Sequence, residues 1–131
     1  MSKLNDMEVN GTILLVDDEP NILRALKFLF SQKGFHVLTA SNGTEGIIKA
    51  RTHKPNIIIL DVMMPGMDGF EVAKLVRKEK SLHHCTIVFL TAKGTNQDQA
   101  QGYANGGEIY LTKPFDNQEL VNIVMEVFEF G

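Results

Sequence analysis

The sequence predicts a doubly wound α/β fold: five parallel strands in one sheet, with helices on both faces. Three observations predict it. Five short apolar runs alternate with stretches of helical spacing, three of those runs do not alternate polar with apolar, and the reactive side chains fall just past the runs' carboxyl ends. Strict β-α alternation implies parallel strands joined by right-handed crossovers. A run with no polar alternation belongs to a strand buried on both faces, which a helix-covered parallel sheet provides.

Taken in order, residues 1–10 are polar and read as a disordered leader, and the domain occupies 11–131. The first strand, Ile13–Val16, runs into three acids, Asp17, Asp18 and Glu19. A helix over 20–33 starts with Pro20 in its first turn, sets Ile22, Leu26, Leu29 and Phe30 on one stripe, and stops at Gly34. The second strand is His36–Ala40, and the helix after it, over 43–53, is weakened by an internal Gly46. The third strand, Ile57–Leu60, ends in Asp61. The helix over 68–80 opens on Asp68-Gly-Phe-Glu71, a carboxylate form of the capping box. It turns Val72, Leu75 and Val76 inward and closes on Arg77, Lys78 and Lys80, which suits the helix dipole.

The fourth strand, Thr86–Leu90, ends in Thr91. Residues 95–105, TNQDQAQGYAN, form the weakest predicted helix. They hold few apolar side chains, and Gly102 costs about 1 kcal/mol relative to alanine. The fifth strand, Ile109–Thr112, ends in Lys113, and a last helix over 116–129 carries Leu120, Ile123, Val124 and Val127 on its apolar side. The sequence stops there, so a single domain is expected.

Composition agrees. A chain of 131 residues supports one core. A net charge of −3 argues against the basic face that nucleic-acid binding needs. No apolar run approaches the ~20 residues of a membrane span, and the first residues lack the apolar core of a signal peptide. Cys85 is the only cysteine, so it has no intramolecular disulfide partner; a cytoplasmic setting is expected.

In an open parallel sheet, ligands bind beyond the carboxyl ends of the strands. The second strand delivers nothing reactive there. The other four deliver Asp17-Asp18, Asp61, Thr91 and Lys113. Singly, each has a plain reading as a helix cap or a solvated charge; together on one edge they read as a site. Two adjacent carboxylates at ~4 Å repel by roughly 4 kcal/mol in a surface dielectric, a cost that a bound cation removes. Hard oxygen donors in this number suit Mg²⁺. There is no twelve-residue calcium loop, and His36, His53, His83, His84 and Cys85 lack zinc-finger spacing. Mg²⁺ beside a carboxylate and a lysine is equipment for phosphoryl transfer. Asp61 can form an acyl phosphate, Lys113 can offset the phosphoryl charge, and Thr91 can donate a hydrogen bond to a phosphoryl oxygen.

The segments ILLVDDEPNI, IIILDVMMPGMDGFEV, IVFLTA and YLTKPF, in that order and spacing, resemble the receiver domain of bacterial two-component response regulators across residues 12–129. The resemblance implies a (βα)5 flavodoxin-like fold with strand order 2-1-3-4-5. It implies that Asp61 takes a phosphoryl group from a histidine kinase or histidine phosphotransfer protein. Asp18 would bind Mg²⁺ directly and Asp17 through water, with Asp61 and the backbone carbonyl of Met63 completing the set. Thr91 would move toward the phosphoryl group, Lys113 would pair with it, and Tyr110 would be the switch aromatic. The Lys113–Pro114 bond is commonly cis in such proteins. The output face would comprise the fourth and fifth helices (95–105 and 116–129) and the fifth strand. That face is also a candidate homodimer surface. The output itself would belong to another protein or a missing effector domain, since no DNA-binding segment is present. Gly107 and Ile109 depart from the alanine and acid often found there. Met63 and Lys93 occupy the two variable positions that tune phosphoryl lifetime.

Two other readings compete. A phosphatase of the haloacid dehalogenase kind needs Asp-x-Asp on the first strand and a substrate cap, and neither is here. A phosphorylation-independent interaction module would have no need of the Asp18, Asp61, Thr91 and Lys113 set.

Overall fold

The strands β1 (Thr12–Val16), β2 (His36–Ala40), β3 (Ile57–Asp61), β4 (Thr86–Thr91) and β5 (Ile109–Thr112) lie parallel in one sheet, in the order β2-β1-β3-β4-β5. The computed structural model describes residues 11–92 and 109–130. The expected leader at 1–10 and the expected helix at 95–105 lie outside these residues, as do Lys93, Gly106 and Gly107. The described helices are α1 (Pro20–Gln32), α2 (Gly43–His53), α3 (Gly69–Lys78) and α4 (Asn117–Phe130), with a 3-10 turn at Lys80–Leu82. No helix among the described residues is long and apolar enough to cross a membrane.

The apolar runs behave as their composition requires. The residues of β3 are buried without exception, whereas the edge strands β2 and β5 are only partly covered. Successive side chains of a strand point to opposite faces. Leu14, Val16, Ile58, Leu60, Ile87 and Phe89 therefore join one core with Ile47 and Ala50 of α2 and Val72 and Val76 of α3. Ile13, Leu15, Ile57, Ile59, Val88 and Leu90 join a second core with Leu26 and Phe30 of α1 and Leu120 and Val124 of α4. Each such side chain, fully buried, contributes roughly 1.5–3 kcal/mol. Among the described residues, ten of the twelve largest fully buried side chains lie on the central strands, which also end in the reactive residues.

Helix ends follow their local signals. At the end of α1 the Phe35 N–H donates to the Phe30 carbonyl and the Gly34 N–H to the Ser31 carbonyl. This is a Schellman closure with Gly34 at φ +92°, a conformation that favours glycine. The Asp68 capping box forms in full: Asp68 Oδ1 accepts from the Glu71 N–H at 2.9 Å, and Glu71 Oε1 accepts from the Asp68 N–H at 3.0 Å. Asp68→Ala is expected to cost ~1 kcal/mol, measurable as a lower urea midpoint.

Two departures have physical reasons. The sequence predicts helix to residue 80, but α3 stops at Lys78 and Glu79 is extended. Leu82 is fully buried. On a continuous helix it would lie about half a turn round from Ala73, away from the buried stripe. The break at Glu79 turns Leu82 back into the core. Helix α2, weak on propensity, is complete because its glycine has a packing use. A Cβ on Gly46 would sit 3.1 Å from both methyls of Val16, so glycine lets α2 approach β1 closely. Asn42 caps this helix by accepting the Glu45 N–H at 2.8 Å.

Candidate functional site

Strand register brings the acids together. Val16 of β1 pairs with Leu60 of β3, so the next residues, Asp17 and Asp61, emerge side by side. Thr91 closes β4 beside Thr112 of β5, and Lys113 follows Thr112. Asp17, Asp61 and Thr91 are buried at this edge, while Asp18 is exposed. One oxygen each from Asp17, Asp18 and Asp61 lies within 4.8 Å of the others. Three hard oxygen donors at that spacing fit a small divalent cation such as Mg²⁺.

Lys113 ties the pocket together. Its Nζ lies 3.3 Å from Asp17 Oδ2, 3.3 Å from Asp61 Oδ1 and 3.5 Å from Glu19 Oε1. Asp17 Oδ1 also accepts the Glu19 N–H at 2.9 Å. The backbone N–H of Met63 donates to the Asp61 carboxylate, and the Met63 side chain is exposed. The Lys113–Pro114 bond is cis, in keeping with the resemblance.

The charges perturb one another. Burial, and then the charge of Asp17, push the Asp61 carboxyl from 3.8 up to about 6, against the pull of Lys113 and the Met63 N–H. Burial also raises Asp17, with the Glu19 N–H and Lys113 only partly compensating. For Lys113, burial acts to lower the pKa, but the Asp17 and Asp61 charges outweigh it and the ammonium is held above its ordinary value. Protons are thus held on both sides of the pocket for different reasons: burial disfavours the charged carboxylates, and the neighbouring carboxylates favour the charged ammonium.

Thr91 Oγ1 is a buried polar atom with no hydrogen-bond partner among the described residues. Such a group ordinarily costs about 1–3 kcal/mol, so a hydroxyl left in this state at the rim of an acidic pocket is available to a ligand. Tyr110 lies on β5 two positions before Thr112. It is half-buried, and its ring packs 5.1 Å from that of Phe89. A groove of about 540 Å³ flanks the pocket along the loop Val62–Gly66, lined also by Asp68 and Phe70.

Asp17, Asp18, Asp61 and Lys113 therefore meet, as the positions of the strand ends predict, and Thr91 stands on the same edge. Glu19 was visible in sequence only as the third acid of a run. Its contact with Lys113 spans 94 residues, and nothing local announces it.

Comparison with known proteins places this geometry. A family model described as "Response regulator receiver domain" matches residues 13–125. The chain is 43% identical over 112 residues to the alkaline phosphatase synthesis transcriptional regulatory protein PhoP of Bacillus subtilis, covering 86% of this chain and 46% of that one. It is 33% identical over 115 residues to protein PilH of Pseudomonas aeruginosa, covering 88% of this chain and 95% of that one. The chain thus spans just under half the length of PhoP and nearly all of PilH. Among solved structures, response regulator TrrA of Thermotoga maritima, in complex with Mg²⁺ and beryllofluoride, superposes with a TM-score of 0.78 at 36% identity, covering 88% of this chain and 97% of that one. With a family match across nearly the whole described fold, and the strand order that the sequence resemblance implied, the chain belongs to the response regulator receiver domains of two-component systems, a family of phosphoacceptor switches and not of turnover enzymes.

Proposed function

We propose that this chain takes a phosphoryl group onto Asp61 from a phosphohistidine of a histidine kinase or histidine phosphotransfer protein, with Mg²⁺. The observation that carries this reading is the Lys113 ammonium standing 3.3 Å from Asp61 and 3.3 Å from Asp17, inside an acidic cluster sized for a cation. Asp18 would hold Mg²⁺ directly and Asp17 through water, with Asp61 and the Met63 carbonyl completing the set. The ion supplies charge neutralisation on the phosphoryl oxygens.

The chain's own residues do the rest. An Asp61 carboxylate oxygen attacks phosphorus. The new O–P bond forms as the donor's N–P bond breaks, and the imidazole nitrogen leaves with the electron pair. Lys113 pairs with a phosphoryl oxygen, and the Thr91 hydroxyl, which has no competing partner among the described residues, donates to another. Movement of Thr91 toward that oxygen draws on the end of β4, where Phe89 packs against Tyr110. Tyr110 is the switch aromatic in this reading. The output face in this reading is β5 and α4 with the segment 95–105, and it engages an effector domain, another protein or a second copy of the chain. The setting is cytoplasmic. The TrrA complex, which holds Mg²⁺ and beryllofluoride, supports the assignment by similarity.

The test is incubation with acetyl phosphate, or with beryllofluoride, in the presence of Mg²⁺. A switch gains one phosphoryl group, located at Asp61 by peptide mass mapping. Continued turnover would indicate a phosphatase, and no uptake an interaction module. Lys113→Ala is expected to leave Mg²⁺ binding largely intact while uncoupling the switch. In NMR spectra, beryllofluoride would then no longer shift the Tyr110 resonances.

A further inference from the structure

Lys113 is shared among three carboxylates, and the three are not equivalent. An ammonium has three N–H donors, and Asp17, Asp61 and Glu19 all lie within reach of Nζ. The side chains of Asp17 and Asp61 are 3% and 5% exposed, whereas that of Glu19 is 60% exposed. A buried carboxylate stripped of its counter-ion is strongly disfavoured. A carboxylate at the surface exchanges its partner for water at little cost. The main chain of Glu19 is fixed independently of its side chain. Its N–H donates to Asp17 Oδ1 at 2.9 Å, and its carbonyl accepts from Ile22 at 3.1 Å and Leu23 at 3.2 Å. The Glu19 carboxylate can therefore leave without disturbing Asp17 or the start of α1.

We propose that Glu19 is the exchangeable counter-ion of Lys113, a positioning residue that occupies the solvent side of the ammonium until a phosphoryl oxygen displaces it. The inference rests on the phosphoacceptor reading of Asp61. When that residue carries a phosphoryl group, Lys113 keeps the buried Asp17, and the position held by Glu19 passes to a phosphoryl oxygen. Glu19 returns to water. No proton moves in the exchange. Its contribution is to keep the ammonium at the mouth of the pocket and to set a small opposing term against phosphoryl binding.

The experiment compares the wild-type chain, Glu19→Gln and Glu19→Asp, using Mg²⁺ alone and then Mg²⁺ with beryllofluoride, by titration calorimetry. Glutamine keeps the size and loses the charge; aspartate keeps the charge and is too short for the contact. Exchange predicts that both variants bind beryllofluoride about two- to five-fold more tightly than wild type. It also predicts unchanged Mg²⁺ affinity, and a difference that shrinks at high salt as the wild-type pair is screened. If aspartate behaves like wild type while glutamine does not, Glu19 acts only through its field and the proposal is overturned. Equal affinity in all three chains, or a parallel loss of Mg²⁺ affinity, overturns it too, with the phosphoacceptor reading intact. A wild-type chain that takes up no beryllofluoride overturns that reading and this proposal together.

Discussion

Asp61→Asn is expected to lose phosphoryl and beryllofluoride uptake completely, and to fold more stably than the parent chain at neutral pH. Loss of uptake follows because an amide oxygen is no nucleophile for phosphorus. The gain in stability follows from electrostatics. In the folded chain the Asp61 carboxyl sits at about 6, against 3.8 for the ordinary group, because burial and the Asp17 charge oppose ionisation. A carboxyl raised in this way holds its proton longer when folded than when unfolded. Its contribution therefore favours the fold below pH ~4 and is lost as the pH rises through about 6. At pH 7 the penalty, with the pull of Lys113 already included, approaches ~3 kcal/mol at most, and a buried asparagine amide keeps part of the desolvation cost, so a net gain of ~1–2 kcal/mol is expected. Urea melts between pH 4 and 7 check both parts. The parent should lose stability across that window more steeply than Asp61→Asn. Matching slopes would show that Asp61 ionises freely, and retained stoichiometric phosphorylation would refute its role as acceptor.

The second large effect is at Gly69, the first residue of α3. A Cβ there would collide with the carbonyl oxygen of Asp61 and lie 2.9 Å from the Cα of Val62. Both are backbone atoms of the segment that presents the acceptor, and neither can swing aside. Glycine to alanine near the start of a helix normally helps by up to ~1 kcal/mol. Here the overlap should reverse the sign, with a loss of ~3 kcal/mol from strained packing. Because the obstructing atom belongs to Asp61 itself, relief of the clash must also displace the carboxylate. Gly69→Ala should therefore show a lowered melting temperature together with weakened beryllofluoride binding. A stable variant with normal binding would mean that α3 can shift without moving Asp61.

Some of this was legible in residues and some was not. Ile57–Leu60 announced a central strand because four consecutive apolar residues ending in an acid fit a place with no exposed face. The placing of His36–Ala40 and Ile109–Thr112 at the sheet's edges came instead from the strand order that the family resemblance implies. The acidic pocket followed from asking which residue ends each strand, a question that needs topology but no coordinates. By contrast, Gly46 and Gly69 looked like weak points or mere spacers. Their value lies in distances to Val16 and Asp61, and a propensity scale contains no such information. Glu19 was hidden for a related reason: its partner is far along the chain, and an acid after two acids has no distinguishing local pattern. The break before Leu82 is not legible because Arg77, Lys78 and Lys80 suit a helix end at either position, and only the depth of Leu82 decides between them.

The ring of Phe89 stands 5.1 Å from Phe70 on one side and 5.1 Å from Tyr110 on the other, forming a short aromatic row from the dry interior to the half-covered edge. Its middle member is sealed from water, yet its bulk determines how much room the outermost ring has. A trimmed or enlarged side chain at 89 would alter what a visiting partner feels at Tyr110 without changing a single exposed atom, so the responsiveness of the exterior is partly written in a residue that no partner ever meets.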